Sequence, residues 1–197
     1  MILYITGCPG AGKTTIAFEV SKIINWKVIN LGNFSIEKGF ILGFDEELSS
    51  YIVDVDSLSK YLEKFLAESQ ENFIFDSHFV VKIPERFNPL IFVLRCEPFE
   101  LIKRLTNKGF SRKKVCENVL AEILDFCLYE ALEVYGTNRV HEVDTSGKSV
   151  EDVTREILSV ISGEKKPESG MFNWLAKLES EGKLEEVLKI CLSVEVT

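Results

Sequence analysis

The 197-residue sequence has no feature typical of a membrane or secreted protein. Its apolar runs are short, and none approaches the ~18 residues of a membrane span. The opening segment "MILYIT" is apolar, but it is too short for the hydrophobic region of a signal peptide and no basic residues precede it. We therefore expect a cytoplasmic protein that has no membrane partner.

Paired cysteines and an excess of basic residues are also missing. The five cysteines form no C-x-x-C pair and match no zinc-ligand spacing, which favours reduced and partly buried thiols. The formal net charge of -8 argues against non-specific nucleic-acid binding, which needs a basic surface. An acidic chain suits a basic protein partner, although many cytosolic enzymes are equally acidic.

A phosphate loop stands near the start of the chain. The stretch "TGCPGAGKTT" (6–15) fits G-x-x-x-x-G-K-[ST] and lies between a predicted strand and a predicted helix. Backbone N–H groups of such a loop surround phosphate oxygens, and the helix N-terminus adds its positive dipole. We predict that Lys13 contacts the β- and γ-phosphates of ATP and that Thr14 ligates Mg²⁺. The other predicted phosphate-binding residues are Gly7, Gly10, Ala11, Gly12 and Thr15.

Two further residues follow the third predicted strand, "NFIFD" (72–76). Asp76 ends this strand, where a carboxylate beside a phosphate loop orients Mg²⁺ and its waters. His78 is a candidate for positioning an attacking water or for contacting a phosphate, and a hydrogen-bonded loop histidine is the alternative. The stretch "TNKGF" has Phe110 where a guanine-specific motif needs aspartate, and no D-x-x-G follows Asp76. A switch GTPase is therefore not expected.

A basic island interrupts this acidic sequence. Between Lys103 and Lys114 lie six basic residues and no acidic ones. Because the island spans a break between two predicted helices, we predict a small lid in which Arg104 and Lys108 neutralise the transferred phosphoryl group. An ordinary basic surface is the alternative. Arg95, directly after the fourth predicted strand, is a further candidate for this pocket.

Alternating apolar runs and helical patterns predict an α/β fold with a parallel sheet and helices on both faces. We predict one domain over residues 1–162, irregular structure over 31–51, and a linker with a short helical tail over 163–197. The two amphipathic patterns of this tail predict either a hairpin packed on the domain or a partner-binding element. We favour packing, because most amphipathic faces are core faces. The predicted strands cover 2–6, 27–30, 72–76, 90–94 and 138–143.

The ordered set of motifs resembles the adenylate kinase isoenzyme six family, the coilin-interacting nuclear ATPase and its archaeal relatives. Residues 1–162 carry the similarity, through the phosphate loop, "INLGNF" (29–34), "FDSH" (75–78) and "RLTNKGFSRKK" (104–114). The resemblance implies a P-loop nucleoside-monophosphate kinase fold with a five-stranded parallel sheet of order 2-3-1-4-5. It also implies adenylate kinase activity (ATP + AMP = 2 ADP), ATPase activity, and a role in small ribosomal subunit maturation through a small-subunit ribosomal protein.

The resemblance also places an acceptor region over 31–51 and a lid over 104–114. Lys108 occupies the position of the family's lid arginine, which keeps the charge but loses the bidentate fork. The predicted contacts of the acceptor monophosphate are Gly32, Asn33, Arg86 and Arg95.

One position departs from the resemblance. Ile36 stands where the eukaryotic members have an arginine, and an apolar side chain cannot hold an AMP phosphate. Either Arg86, Lys82 or Lys38 replaces that arginine, or ATP hydrolysis prevails over phosphate transfer to AMP.

Overall fold

A computed structural model of the chain describes residues 1–46 and 50–192. Its strands are β1 (Ile2–Gly7), β2 (Lys27–Asn30), β3 (Ile41–Asp45), β4 (Ser50–Val53), β5 (Phe73–Asp76), β6 (Pro89–Arg95) and β7 (Val140–Asp144). Its helices are α1 (Lys13–Ile24), α2 (Leu31–Lys38), α3 (Val55–Glu68), α4 (Pro98–Asn107), α5 (Arg112–Ile123), α6 (Phe126–Tyr135), α7 (Val150–Ile161), α8 (Trp174–Ser180) and α9 (Leu184–Leu192). Short 3-10 helices at Glu85–Phe87 and Thr137–Arg139 precede β6 and β7.

Five of these strands form one parallel sheet in the order β2-β5-β1-β6-β7. Counted along the chain without the β3–β4 hairpin, this order is 2-3-1-4-5, which confirms the predicted fold. The central strand β1 is buried along its whole length. Its Ile5 is in register with Asp76 of β5 and its Gly7 with Leu94 of β6. The carboxyl ends of β1 and β5 therefore bring the phosphate loop and Asp76 to the same edge of the sheet.

Helices cover both faces of the sheet. On one face, α1 and α7 bury an aliphatic cluster that includes Val20 and Ile157. On the other face, α3, α5 and α6 bury a larger cluster that includes Leu62 and Val119. Along α1, Ile16, Ala17 and Val20 are buried, whereas Ile23 is 60% exposed. The sheet is thus a rigid support for the loops at its carboxyl edge.

The segment predicted to be irregular, 31–51, is ordered where the structure describes it. Asn30 caps α2 by accepting a hydrogen bond from the Asn33 N–H at 3.0 Å. The antiparallel hairpin β3–β4 follows, and its residues 47–49 lie outside the described part of the chain. The rings of Phe34 and Phe40 lie 5.8 and 5.2 Å from the Tyr61 ring of α3. This packing against a distant helix stabilises a segment whose local sequence gives little helix or strand signal.

Two helix boundaries also differ from the prediction. The sequence predicts that Asp56 caps the helix after the hairpin. The N-cap of α3 is instead Asp54, which accepts from the Ser57 N–H at 3.0 Å, and Asp56 lies in the first turn. The helix predicted beyond the lid is two helices, α5 and α6, separated at Asp125 with φ of +56°. The Asp125 carboxylate accepts a hydrogen bond from the buried Arg95 guanidinium. That ion pair holds Asp125 in the left-handed conformation that ends α5.

The tail segment packs on the domain. Trp174 and Leu178 of α8 and Val187 of α9 are buried in the same apolar cluster as α5 and α6. Upstream of them, the Glu142 N–H donates to the Glu168 carbonyl and the Glu168 N–H donates to Nδ1 of His141. The segment before α8 therefore runs beside β7. Among residues 1–46 and 50–192, no helix is long and apolar enough to cross a membrane.

Candidate nucleotide-binding site

The phosphate loop connects β1 to α1 in a conformation that requires glycine. Gly7, Gly10 and Gly12 all have positive φ, at 134°, 91° and 101°. A Cβ on Gly7 would lie 2.4 Å from the Leu94 carbonyl oxygen, so only glycine lets β1 and β6 approach this closely. Helix α1 begins with no side-chain cap and no acidic residue in its first turn. Its N-terminal N–H groups are therefore suited to bind an anion.

Lys13 folds back over the loop from the first turn of α1. Its ammonium donates hydrogen bonds to the carbonyls of Gly7 at 2.9 Å and Cys8 at 3.1 Å. Desolvation in the loop lowers the pKa of Lys13, and the nearby Asp76 carboxylate opposes that shift. The side chain is thus held above the loop, at the position from which a lysine of such a loop reaches nucleotide phosphates.

Thr14 and Asp76 form a direct contact between the loop and β5. The Thr14 hydroxyl donates to Oδ2 of Asp76 at 2.7 Å, and Nδ2 of Asn30 donates to the same oxygen at 3.0 Å. Asp76 is only 1% exposed. Two hard oxygen donors therefore meet beside the phosphate loop. This donor set fits Mg²⁺, which takes a few protein oxygens and completes its shell with water and phosphate.

His78 lies two residues beyond Asp76, at the mouth of the same site. Its imidazole is exposed and meets the Phe79 ring edge-on, with ring centroids 5.3 Å apart. Partial desolvation lowers the pKa of His78, the Lys13 charge lowers it further, and Asp76 opposes the shift. A neutral imidazole is therefore favoured near neutral pH. The role of His78 in orienting water or phosphate stays a prediction.

The basic island divides between two surfaces. Arg104 donates to Glu100 Oε1, to the Thr145 hydroxyl at 2.9 Å and to the Thr145 carbonyl at 2.7 Å. Arg104 and Lys108 line a cleft of about 420 Å³ together with the phosphate loop. Arg112 instead donates to the Ile190 carbonyl of α9 at 2.8 Å. Arg104 and Lys108 thus face the candidate nucleotide site, while Arg112 contacts the tail.

The far wall of this cleft was missed by the sequence analysis. It consists of residues that follow β7 and begin α7, at the carboxyl edge of the sheet. The only sequence signal was Ser149 followed by Asp152, a pattern that predicts a helix start resembling a capping box. The structure confirms this cap of α7, since Ser149 accepts from the Asp152 N–H at 3.1 Å. Polar groups and an apolar floor together suit a nucleoside. The lining residues from this wall are Thr145, Lys148, Ser149, Val150 and Val153.

The predicted acceptor residues of α2 lie close to Thr14 and Asp76. Gly32 and Asn33 form the first turn of α2, which Asn30 both caps and connects to Asp76. Ile36 is on the same helix and is 47% exposed. The only basic residue within 31–51 is Lys38, whose ammonium lies 5.8 Å from the Phe34 ring centroid. No guanidinium reaches this wall from its own segment.

The structure does not bring Arg86 and Arg95 to the cleft. Arg86 lies in the 3-10 helix before the amino end of β6, at the edge opposite the phosphate loop, and pairs with Glu63 at 2.8 Å. Arg95 is 1% exposed and is enclosed by three carboxylates, on Glu122, Asp125 and Glu142. The prediction that these arginines contact the substrate is therefore wrong. Arg95 has its three partners because α5 and β7 converge at the end of β6.

A parallel sheet with a strand–glycine loop–helix unit and basic residues opposite it defines a P-loop phosphate-binding protein. The family model described as "AAA domain" matches residues 3–125. Proteins named "Putative adenylate kinase" are 38% identical in Pyrococcus furiosus (88% of this chain, 91% of that protein) and 35% identical in Methanocaldococcus jannaschii (90% and 94%). The chain therefore belongs to the P-loop nucleoside-monophosphate kinase family.

Solved kinase structures share the fold at low sequence identity. A shikimate kinase from Acinetobacter baumannii superposes with a TM-score of 0.54 at 14% identity, covering 83% of this chain and 94% of its own. A deoxyadenosine kinase from M. mycoides gives a TM-score of 0.51 at 17% identity, covering 84% and 100%. These similarities establish the fold of the chain and do not identify its substrate.

Proposed function

We propose that the protein is an Mg²⁺-dependent nucleotide kinase of the adenylate kinase type, which transfers the γ-phosphoryl group of ATP to AMP. The observation that carries the proposal is the cleft in which the phosphate loop faces Arg104 and Lys108. The relatives named as adenylate kinases support the same reaction. In this proposal Lys13 holds the β- and γ-phosphates, and the residues after β7 hold the adenosine.

Positioning and charge supply most of the catalysis of phosphoryl transfer, so this site needs no strong base. Thr14 and Asp76 would hold Mg²⁺, which neutralises phosphate charge when bound. Arg104 is held in place by Glu100 and Thr145, so its guanidinium is ordered before the substrate arrives. Lys108 at the end of α4 is exposed and is free to close over the transferring group.

The test separates transfer to AMP from transfer to water. The protein is mixed with ATP, Mg²⁺ and AMP, and the nucleotides are separated by chromatography. We expect AMP to disappear and ADP to form at two molecules per ATP consumed. The matched control is Lys13→Met, which should abolish both the disappearance of AMP and the formation of ADP. Formation of ADP at the same rate with and without AMP would contradict the kinase proposal.

A second candidate function rests on the acceptor wall. Ile36 replaces the expected arginine. The predicted substitute Arg86 and the predicted acceptor contact Arg95 both lie away from this wall. We propose as the alternative an ATPase that acts in small ribosomal subunit assembly, with a small-subunit ribosomal protein as its partner, as the resemblance to the isoenzyme six family implies. The net charge of this chain, -8, suits a basic partner such as a ribosomal protein.

The β3–β4 hairpin gives this alternative a defined surface. Leu42, Phe44, Tyr51 and Ile52 are 70%, 51%, 52% and 48% exposed. Large exposed apolar side chains in one hairpin are typical of protein interfaces. The test is binding of purified small-subunit ribosomal proteins to the wild type and to Leu42→Glu, with Ile23→Glu on α1 as the control. Absence of binding above background would remove the support for an assembly role.

A further inference from the structure

We propose that Cys8 and Cys127 form a dithiol site, which a low-molecular-weight disulfide converts into a protein disulfide that inactivates the phosphate loop. The two Sγ atoms lie 3.7 Å apart, although the residues are 119 positions apart in the sequence. Cys8 is the first residue after β1, and Cys127 is in the first turn of α6. This pairing matches no cysteine spacing motif.

The contact between these thiols is direct and enclosed. Cys8 is 1% exposed and Cys127 is 6% exposed, and each sulfur is the hydrogen-bond partner of the other. A disulfide bond is about 2.05 Å long, so the two sulfur atoms, which lie 3.7 Å apart, must approach each other on oxidation. Helix α6 is fixed by the burial of Leu128 and Ala131 on the same face as Cys127. In this proposal the approach therefore comes from the loop, at Cys8.

Displacement of Cys8 would disturb the part of the loop that holds phosphate. The Cys8 carbonyl accepts hydrogen bonds from the Ala11 N–H at 3.1 Å and from the Lys13 ammonium at 3.1 Å. These bonds set the curvature of the loop and the position of the lysine. A shift of about 1 Å in such a constellation can reduce the rate about a hundredfold. The disulfide therefore acts on phosphate binding without touching the nucleotide.

The exchange proceeds in two balanced steps. Cys127, the more exposed thiol, attacks the oxidant disulfide, forming a mixed disulfide and releasing one small thiol. Cys8 then attacks the sulfur of Cys127 and releases the second small thiol. The two protons leave with the small thiols, and the two electrons reduce the oxidant. The hydrogen bond to Cys127, together with burial, raises the pKa of the Cys8 thiol, so the exchange is slow at neutral pH and faster in alkali.

A second thiol pair provides an internal reference. Cys116 of α5 donates to the Ile190 carbonyl at 3.7 Å, and burial and a hydrogen bond to Cys116 raise the pKa of Cys191 to about 12. This pair joins α5 to the tail helix α9 and has no contact with the phosphate loop. Its oxidation should leave phosphate binding unchanged, which separates a specific effect of Cys8–Cys127 from general oxidation.

The experiment uses the reduced full chain treated with oxidised glutathione at pH 8.5. Cross-linked peptides are identified by mass spectrometry after thiol blocking, and ATP consumption and binding of a fluorescent ATP analogue are measured. We expect a Cys8–Cys127 peptide, weaker analogue binding and a roughly hundredfold slower ATP consumption, all reversed by dithiothreitol. Cys127→Ala should match the reduced wild type and resist oxidation, whereas Cys191→Ala should remain sensitive.

Two results would overturn the proposal. One is a Cys116–Cys191 peptide formed without any Cys8–Cys127 peptide. The other is a protein that carries the Cys8–Cys127 bond and still binds the analogue as tightly as the reduced form. The wild-type cross-link and its reversal keep the test decisive if Cys127→Ala does not fold. Analogue binding needs the phosphate loop but no AMP, so a failure of AMP-dependent turnover would leave this result interpretable.

Discussion

At the scale of single residues, Asp76 carries the most constrained chemistry of the site. It is nearly fully buried, and one of its oxygens accepts hydrogen bonds from both Thr14 and Asn30. A buried carboxylate is stable only where donors or a cation compensate it. The same atom that holds the loop to β5 in this structure is the one suited to Mg²⁺. The contact between the loop and β5 and the proposed metal site therefore share one side chain.

We predict that Asp76→Asn lowers the rate of ATP consumption by roughly a hundredfold, the scale of losing one preorganised electrostatic contact. The amide keeps the volume of the carboxylate but loses its charge and places an NH₂ group near the Thr14 hydroxyl. The measurement is ADP formation as a function of Mg²⁺ concentration. Asp56→Asn on α3, which is exposed and remote from the cleft, is the control. Full activity of Asp76→Asn would show that the metal is held elsewhere.

A second prediction concerns Lys108 on the opposite side of the cleft. Removal of its charge in Lys108→Ala should lower kcat by about tenfold, because a charge-assisted hydrogen bond contributes about 1.5–3 kcal/mol. Lys108→Arg should retain activity or exceed the wild type, since the guanidinium binds phosphate oxygens in a bidentate manner. Lys103→Ala tests the same island away from the cleft lining. Equal losses at Lys103 and Lys108 would favour a general surface effect over a lid.

At the scale of elements, α2 determines which acceptor the site can hold. We predict that Ile36→Arg increases AMP-dependent ADP formation and lowers KM for AMP, because a guanidinium then faces the acceptor phosphate. The position is 47% exposed, so the substitution buries no charge and should cost little stability. Ile23→Arg on α1, where isoleucine is 60% exposed, is the matched control. An unchanged KM would show that the acceptor phosphate does not approach α2.

The tail helices stabilise the domain through one buried cluster. Nε1 of Trp174 donates to Glu122 Oε1 at 2.9 Å, and the same oxygen accepts from Arg95. We predict that Trp174→Ala lowers the free energy of unfolding by about 3–5 kcal/mol. Trp174→Phe should lower it by about 1 kcal/mol through the lost hydrogen bond.

Urea denaturation followed by circular dichroism measures both losses. The control is Leu175→Ala, which removes a side chain that is 37% exposed on the same helix. If Trp174→Ala and Leu175→Ala had the same small effect, the tail would contribute little to the stability of the domain.

At the scale of the whole molecule, His141 contributes to the pH dependence of stability. Its side chain is 0% exposed, and burial lowers its pKa, as does Lys165, while Glu156 opposes the shift. In the neutral ring, Nδ1 accepts a hydrogen bond from the Glu168 N–H. Protonation of Nδ1 would remove this acceptor and place its N–H against the N–H of Glu168. The unfolded chain therefore binds the proton more readily than the folded protein does.

We predict that the free energy of unfolding falls as the pH decreases through and below the ordinary histidine pKa of about 6.5. The stabilisation is complete above that pKa and is lost as the pH falls toward the depressed folded pKa. Urea titrations at pH 7.5 and 5.5 measure the difference, and His141→Gln should reduce it. His78 also has a lowered pKa, so the variant His78→Gln measures how much His78 contributes to the pH dependence of the free energy of unfolding. A pH dependence unaffected by either variant would contradict the prediction.

The local sequence was sufficient for the sheet, the phosphate loop and the cap of α7. Glycines at fixed spacing, a lysine and a threonine define the loop, because its backbone needs positive φ at Gly10 and Gly12. Parallel strands all end at one edge, so Asp76 at the end of β5 could be placed beside the loop before any coordinates. The periodicity of apolar residues did not predict the helix and hairpin of residues 31–51, because packing of Phe34 and Phe40 on α3 decides the structure there.

The sequence by itself determined the fold and the phosphate-binding half of the site, because both depend on patterns within a few residues. The tertiary structure alone decided the direction of each long polar side chain. Arg95 follows a strand just as a site residue would, yet the convergence of α5 and β7 buries it among carboxylates. The contact between Cys8 and Cys127 likewise exists only because α6 packs under the loop. Such contacts join positions far apart in the chain, and their geometry is set by packing that no local pattern contains.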